Sequence, residues 1–226
     1  MPEETPWVVC KFGGSSVSTR ARWDTIAEVV RTHRAEGRHP FLVCSALQGI
    51  SDQLEVLLRE AEHGDPAPTL ATIRDRHRAL ARDLEVDPDA ALADGLERLT
   101  ALTEEIVGHA PSPRQRAAVM ASGELLSTRL GVAYLSARGL PVEWLDAREF
   151  LRATDDPHVP PRRQYLAATC ASHPDPVLRS HLGDAPDTVY LTQGFIASNA
   201  LNETVLLGRG GSDTSAAHFA AKLEAE

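Results

Sequence analysis

Two glycine-rich segments of this sequence carry cationic side chains at positions where helices are about to begin. The first is Lys11-Phe-Gly-Gly-Ser-Ser-Val17, and the second is Gly208-Arg-Gly-Gly-Ser-Asp-Thr214. Glycines allow backbone N–H groups to approach an anion closely, and a helix N-terminus contributes about half a positive charge. Lys11 is therefore suited to neutralise a phosphate group during its transfer, although a tight turn with a surface lysine explains the first segment equally well.

The second segment adds a guanidinium group and a carboxylate. Arg209 offers a planar pair of donors that matches a carboxylate or a phosphate. Asp213 is either a functional carboxylate or a plain N-cap of the helix that follows, and the two interpretations have equal weight. Neither segment has the GxxxxGKS or GxxxxGKT spacing of a P-loop. Two such turns in one chain nevertheless favour an anion-binding role.

A third feature is a carboxylate within an apolar helical stretch, Ser122-Gly-Glu-Leu-Leu-Ser127. A partly buried Glu124 requires a cation, which a substrate ammonium group or an internal arginine can supply. Ser45 and Ser51 add hydroxyl groups after a predicted strand, at the sheet edge where α/β proteins bind ligands. A carboxylate for an amine, a guanidinium for a carboxylate and a lysine for phosphates together indicate phosphoryl transfer to an amino acid.

These residues are positioned by an alternation of strands and helices. Residues 7–12 and 40–45 are short apolar runs that predict buried strands, and the pattern between them predicts a helix that closes at Gly37. Strand, helix and strand in this order predict a parallel sheet with a right-handed crossover.

The rest of the chain predicts further helices and strands around that unit. The helical patterns cover residues 52–61, 69–84, 92–106 and 114–138, and a last one starts near Ser212 and Asp213. The strand patterns cover residues 142–145, 189–192 and 204–207, with an irregular loop at 155–161 and a hairpin or wide loop at 194–202. The charged residues from Arg74 to Arg82 predict a solvated helix face. The whole pattern is typical of one α/β domain with a helical insertion.

Composition excludes several classes of protein. The 226 residues include 23 Lys and Arg against 32 Asp and Glu, so the net charge is −9, which argues against a general nucleic-acid binder. No apolar run approaches the roughly 20 residues of a membrane helix, and the acidic N-terminus is not a signal peptide. Three cysteines without a CxxC pair predict free thiols and a cytoplasmic protein.

The sequence resembles the aspartate kinases of the amino acid kinase family. Lys11-Phe-Gly-Gly-Ser-Ser-Val17 is similar to the opening KFGGTS or KFGGSS signature of that family. Ser122-Gly-Glu124, and Thr192-Gln-Gly-Phe-Ile196 with Leu207-Gly-Arg-Gly-Gly-Ser-Asp213, resemble its other two signatures. The resemblance implies a three-layer sandwich with a mostly parallel central sheet, helices on both faces and a helical insertion at about residues 66–113.

The resemblance also implies the substrates ATP and L-aspartate, with Mg²⁺, and a role for each site residue. Lys11 would stabilise the transferring γ-phosphoryl group, and Asp213 would orient Lys11. The glycine-rich residues that would contact the phosphates of ATP are Gly13, Gly14, Ser15, Gly210 and Gly211. The residues that would bind aspartate are Ser45, Ser51, Glu124, Arg209 and Ser212. No side chain is assigned to the metal. The β-carboxylate of aspartate would itself be the nucleophile, in the first step towards lysine, threonine and methionine.

Some family features are absent from residues 1–226. The adenine-binding strand and loop of the WTDVDG type, a second phosphate-binding lysine and the regulatory domains do not occur in the sequence. We therefore expect a catalytic domain that is incomplete at its C-terminus and binds ATP weakly or not at all on its own. A homodimer is compatible with the resemblance, and the oligomeric state stays open.

Two alternatives remain at this stage. The chain could be a truncated, non-catalytic module that binds aspartate or takes part in assembly. It could also be a kinase for another acidic amino acid, such as glutamate or acetylglutamate. Glu124 weighs against acetylglutamate, because an acetylated nitrogen carries no charge for a carboxylate to pair with. The choice of aspartate over glutamate rests on the family resemblance.

Overall fold

Four strands form a parallel sheet in the computed structural model, which describes residues 6–183 and 187–225. In chain order they are β1 (Trp7–Phe12), β2 (His39–Cys44), β3 (Val142–Leu145) and β4 (Val189–Gln193). Their order across the sheet is β1-β2-β4-β3, and all three pairings are parallel. A separate antiparallel pair consists of β5 (Ile196–Ser198) and β6 (Thr204–Leu206).

Helices occupy most of the remaining chain. The helices before the third strand are α1 (Arg20–Ala35), α2 (Ile50–His63), α3 (Ala67–Asp83), α4 (Pro88–Glu104) and α5 (Pro113–Ala137). The later ones are α6 (Ala147–Phe150), α7 (Pro161–Leu166), α8 (Pro176–Gly183) and α9 (Gly211–Leu223). Helix α5 begins with a capping box, in which the Ser112 and Gln115 side chains satisfy each other's backbone N–H groups. Asp87 is the N-cap of helix α4, and its carboxylate accepts a hydrogen bond from the backbone N–H of Asp89.

The helices lie on both faces of the sheet. Successive strand residues point to opposite faces. On one face, Tyr190 of β4 donates a hydrogen bond to the Leu182 carbonyl of α8, and Phe41 packs against Phe219 of α9. On the other face, Gln193 of β4 donates to Thr128 of α5. These contacts give the three layers expected from the resemblance.

Helix α5 is the central helix of the layer that also contains α1. Most of its residues are buried, and many of them are small. Trp23 of α1 is fully buried and donates a hydrogen bond of 2.9 Å to the Val17 carbonyl. Its ring lies directly over Gly131, where any Cβ would overlap it. Glycine at that position therefore sets how closely α1 approaches α5.

Most of the predicted elements are confirmed, with shifts of a few residues at their ends. The segment 204–207 is a strand, as predicted, but it pairs with β5 in a hairpin and takes no part in the parallel sheet. The hairpin alternative for 194–202 is therefore the correct one. The short helices α6, α7 and α8 were not predicted, because each has eight residues or fewer and too few turns for a clear period.

Two further expectations are wrong. Helix α9 is not capped by Ser212 or Asp213: its N-cap is Gly210 in a left-handed conformation, φ +73°, and Asp213 lies within the first turn. The face from Arg74 to Arg82 is not wholly solvated, because His77 is fully buried. Burial lowers the His77 pKa to about 4, so this imidazole is neutral within the core.

Within the two described ranges, no helix is both long and apolar enough to cross a membrane. The three cysteines are free thiols, and burial raises the pKa of each of them.

The contact between α1 and α5 leads to a stability prediction. Gly131→Ala places a methyl group against the Trp23 ring, so we expect it to lower the free energy of unfolding by about 1–3 kcal/mol. Gly183→Ala is the matched control, because a Cβ at that helical position meets no atom within 4 Å. Urea unfolding followed by far-UV circular dichroism measures both changes. Equal midpoints for the two variants would contradict the packing argument.

Candidate active site

A cleft of about 340 Å³ opens at the carboxyl ends of β1 and β2, where α9 begins. Parallel strands end at the same edge of a sheet, and that edge is the usual ligand site of α/β folds. The predicted site residues that line the cleft are Lys11, Gly14, Ser45, Ser51, Glu124, Arg209, Gly210, Gly211, Ser212 and Asp213. Two others, Gly13 and Ser15, lie outside the lining. The fold therefore brings together residues from four separate stretches of the chain.

Lys11 and Asp213 join the two glycine-rich segments. The Nζ atom of Lys11 lies 2.8 Å from Oδ1 of Asp213, and the side chains are 30% and 74% exposed. An ion pair this exposed contributes little to stability. The ion pair instead fixes the position of Lys11, because it holds the ammonium group over the start of α9.

The first glycine-rich segment contacts the loop that follows β2. A Cβ on Gly14 would lie 3.0 Å from the Ala46 carbonyl oxygen and 3.2 Å from the Gln48 nitrogen, so glycine permits this approach. Gly13 lies beside Lys11, with 3.6 Å between a Cβ built there and Nζ. Ser15 is exposed within the 3-10 turn Gly14–Val17.

Ser18 links these two loops and Arg76 fixes the second of them to α3, and sequence reasoning missed both residues. The Ser18 hydroxyl donates to the Gly14 carbonyl at 2.5 Å and accepts from the Gln48 N–H at 2.8 Å. Arg76 of α3 donates to the Gln48 carbonyl at 2.5 Å. The available signal was weak, because a serine before a helix is usually interpreted as part of the helix start.

Glu124 lies at the base of the cleft and is 3% exposed. The backbone N–H of Ala46 hydrogen-bonds to its carboxyl group, while Oε2 has no hydrogen-bond partner within the described parts of the chain. Burial raises the Glu124 pKa to about 8. Of the two cations considered from the sequence, the internal arginine is not found among the described residues, since no ion pair there includes Glu124. The unsatisfied oxygen is therefore available to a ligand cation.

Glycine also determines how Glu124 reaches this place. A Cβ on its neighbour Gly123 would lie 2.9 Å from Cβ of Ala46 and 3.2 Å from Cγ2 of Ile50. Helix α5 can therefore approach the loop after β2 closely, and this approach brings the carboxyl group against the Ala46 backbone.

The second glycine-rich segment meets the end of β2 through two serines. The Ser45 hydroxyl donates to the Ser212 hydroxyl at 2.9 Å. A Cβ on Gly194, the residue after β4, would lie 2.6 Å from Cβ of Ser212, so only glycine fits there. Arg209 is exposed, and it forms no ion pair with any carboxylate of the described residues. Ser51 lies in the first turn of α2 at the cleft margin.

Several lining residues were given no role from the sequence, although Gly208 and Phe195 lie within the motifs quoted from it. These lining residues are Ala46, Leu47, Gln48, Gly49, Phe195 and Gly208. Phe195 has φ +70°, and its N–H donates to the Ser215 hydroxyl at 2.9 Å, which anchors the turn after β4 to α9. The sequence pointed to Phe195 only through its position in the Thr192–Ile196 motif. Its positive φ could not be predicted, because a phenylalanine rarely adopts that conformation.

The cleft combines one partly unsatisfied carboxyl group with two cationic side chains and several hydroxyl groups. Within the described residues, no group of three or more His, Cys, Asp or Glu side chains could hold a metal ion. Such a site fits an anionic ligand that also carries an ammonium group.

The curated proteins that this chain resembles include several named aspartokinases. It is 34% identical over 223 residues to the aspartokinase of Chlamydia trachomatis, covering 95% of this chain and 46% of the relative. It is 32% identical over 222 residues to lysine-sensitive aspartokinase 3 of Escherichia coli, covering 96% of this chain and 47% of the relative. The chain thus spans about half the length of the curated relatives it matches.

A solved structure agrees with these matches. The structure of E. coli aspartokinase III in complex with aspartate and ADP superposes with a TM-score of 0.80 at 30% identity, covering 96% of this chain and 47% of that chain. The family description "Amino acid kinase family" matches residues 6–226. This chain therefore belongs to the amino acid kinase family.

Proposed function

We propose that this chain forms the amino-acid-binding part of an aspartate kinase catalytic domain, residues 1–226, which transfers the γ-phosphoryl group of ATP to the β-carboxylate of L-aspartate. The observation that carries the proposal is the buried, partly unsatisfied carboxyl group of Glu124 in the same cleft as Lys11 and Arg209. The names of the similar proteins support the choice of aspartate and nucleotide.

Aspartate is recognised through its two charged α-substituents. The α-ammonium group lies against Glu124, whose Oε2 has no hydrogen-bond partner among the described residues. The α-carboxylate pairs with the guanidinium group of Arg209, which has no competing ion pair within the described chain. Ser45, Ser51 and Ser212 supply hydroxyl groups around the rest of the substrate. The β-carboxylate is then left facing Lys11.

Phosphoryl transfer needs no protein base in this site. An oxygen of the ionised β-carboxylate forms a bond to the γ-phosphorus, the bond from that phosphorus to the β–γ bridging oxygen breaks, and ADP leaves with the electron pair. The products are 4-phospho-L-aspartate and ADP. Lys11, held by Asp213, neutralises the charge on the transferring group. The turns at Gly14 and Gly210 line the cleft and provide N–H groups to the phosphates, whereas the N–H of Gly211 already donates to the Gly208 carbonyl.

The donor set of the cleft fits Mg²⁺ that arrives bound to the nucleotide. Magnesium in kinases is held largely by phosphate oxygens and water, with few protein ligands. The cleft offers hydroxyl groups and cations, and no cluster of carboxylates occurs among its described residues. The ion supplies additional charge neutralisation on the phosphates when it is bound.

We place this activity in the cytoplasm, at the start of lysine, threonine and methionine biosynthesis. The free cysteines support a reducing compartment. The pathway is supported by relatives named bifunctional aspartokinase/homoserine dehydrogenase, for example one from E. coli at 34% identity over 222 residues. A homodimer stays a prediction.

Lys11 and Arg209 are the two cationic side chains that line the cleft. We expect Lys11→Ala to lower kcat by about 10²-fold or more, because a preorganised positive charge at the transferring group is lost. We expect Arg209→Ala mainly to weaken aspartate binding. Both side chains are at least partly exposed, so the urea midpoint should stay unchanged. Isothermal titration of the 226-residue chain with aspartate measures the binding effect, and ADP release from a longer protein that also contains the family's adenine-binding segment measures kcat.

Arg82→Ala is the control, because Arg82 is an exposed arginine of α3 outside the cleft. Wild-type kinetics in both cleft variants would refute the site. Aspartate binding without ADP release in that longer protein would instead identify a non-catalytic aspartate-binding module.

The free energy of unfolding should depend on pH through the Glu124 carboxyl group. Burial raises the pKa of the folded Glu124 carboxyl to about 8 from its ordinary value of 4.5. Its stabilising contribution is therefore fully present below pH 4.5 and is lost as the pH rises through 8. We expect Glu124→Gln, which stays neutral, to remove this part of the decline. Urea unfolding at several pH values between 5 and 9 tests it, and an equally steep decline in the variant would contradict it.

We expect Glu124 to recognise the ammonium group of aspartate. Succinate is aspartate without its ammonium group, so the unaltered protein should bind aspartate more tightly than succinate. Glu124→Gln should lose most of that preference, because the carboxylate partner of the ammonium group is gone. Binding at pH 7 should also release a proton, since the ammonium group favours the ionised form of Glu124. Calorimetry in buffers of different ionisation enthalpy detects this release, and a retained preference in the variant would refute the assignment.

A further inference from the structure

A second cavity of about 260 Å³ lies between α4, α5 and β3, away from the active-site cleft. Leu125, Leu126 and Arg129 of α5 line it, and they lie about 100–160° around that helix from Glu124. No residue of this cavity also lines the cleft. This cavity is therefore separate from the site of the proposed function.

The charges around this cavity do not balance. Arg148 is already paired, because its guanidinium group contacts both carboxylate oxygens of Asp146 at 2.8 and 2.5 Å. Arg98 and Arg129 also face the cavity, and neither forms an ion pair with a carboxylate in the described part of the chain. One further carboxylate, Asp94, lines the cavity. Two cations against one anion leave a net charge of +1.

Arg129 is held in place before any ligand arrives. Its guanidinium carbon lies 3.6 Å from the ring centroid of Trp144, as a cation–π contact. The indole N–H of Trp144 in turn donates to the Thr128 hydroxyl at 2.9 Å, which fixes the ring. Arg129 remains exposed overall, but partial burial lowers its pKa, while the carboxylates of Asp146 and Asp94 act in the opposite direction. A bound anion would compensate for that partial burial.

The floor of the cavity is apolar. It consists of Leu125 and Leu126 with the small residues Ala90 and Ala91 of α4. Gly95 brings α4 close to α5, since a Cβ there would lie 2.7 Å from Cδ2 of Leu126. A fully polar anion such as phosphate would leave this floor without a partner. The volume is also below the roughly 300–1,000 Å³ of pockets that hold drug-sized ligands.

We propose that this cavity is a second binding site, which takes a small organic carboxylate with a branched or aromatic apolar body. The carboxylate pairs with the guanidinium groups of Arg98 and Arg129, and the body packs against Trp144, Leu125 and Leu126. The charge selects an anion, the floor selects an apolar body, and the volume limits its size.

The experiment uses 4-methylpentanoate as the probe and the 226-residue chain as the protein. We expect saturable binding in isothermal titration, together with a change in tryptophan fluorescence that Trp144→Phe removes. Arg98→Gln and Arg129→Gln should each weaken binding by about tenfold, since each removes a charge-assisted hydrogen bond. Arg82→Gln is the matched control, because this arginine is exposed and distant from the cavity lining. Its affinity should equal that of the unaltered protein.

Two further ligands distinguish the contribution of the carboxylate charge from that of the apolar body. The neutral amide 4-methylpentanamide has the same body and should bind much more weakly, while inorganic phosphate should not compete with the carboxylate. Circular dichroism confirms that each variant is folded. Equal binding of the amide, unchanged affinity in both arginine variants, or no saturable signal at millimolar probe would overturn the proposal.

Discussion

The burial of one carboxyl group, that of Glu124, is the constraint on which the arrangement of this domain depends. Placing this carboxyl group in the core raises its pKa, and one of its oxygens has no hydrogen-bond partner in the described part of the chain. The surrounding structure holds it there through close packing of α5 on the loop after β2, where Gly123 lets the two backbones approach. The resulting cost in stability falls at the base of the cleft, where a ligand ammonium group can offset it.

The other parts of the cleft are arranged around that point by close backbone approaches. Gly14 lies against the loop after β2, and Gly194 lies against Ser212 at the start of α9. Lys11 and Asp213 then bridge the two glycine-rich segments across the opening. Helix α5 separates this cleft from the cavity beside Trp144, so one helix contributes residues to two sites of different chemistry.

Much of the architecture could be predicted because it depends on local patterns. The βαβ unit, the long helices and the glycine-rich segments follow from hydrophobic period and turn residues within short windows. The pairing of β6 with β5 could not be predicted in this way, because an apolar run does not show which strand lies beside it. His77 shows the same limit, since only the packing of α3 reveals that it is buried.

The sequence by itself determined which chemical groups this protein has available: a lysine and an arginine in glycine-rich turns, and a carboxylate in an apolar helix. It also determined the type of fold, because periodicity is a property of neighbouring residues. Only the tertiary structure decided that Ser18 and Arg76 hold Gln48 and that Asp213 pairs with Lys11 instead of capping its helix. It also decided that Glu124 has no cationic partner among residues 6–183 and 187–225. Those outcomes depend on distances between segments far apart in the chain, which packing sets and local patterns do not encode.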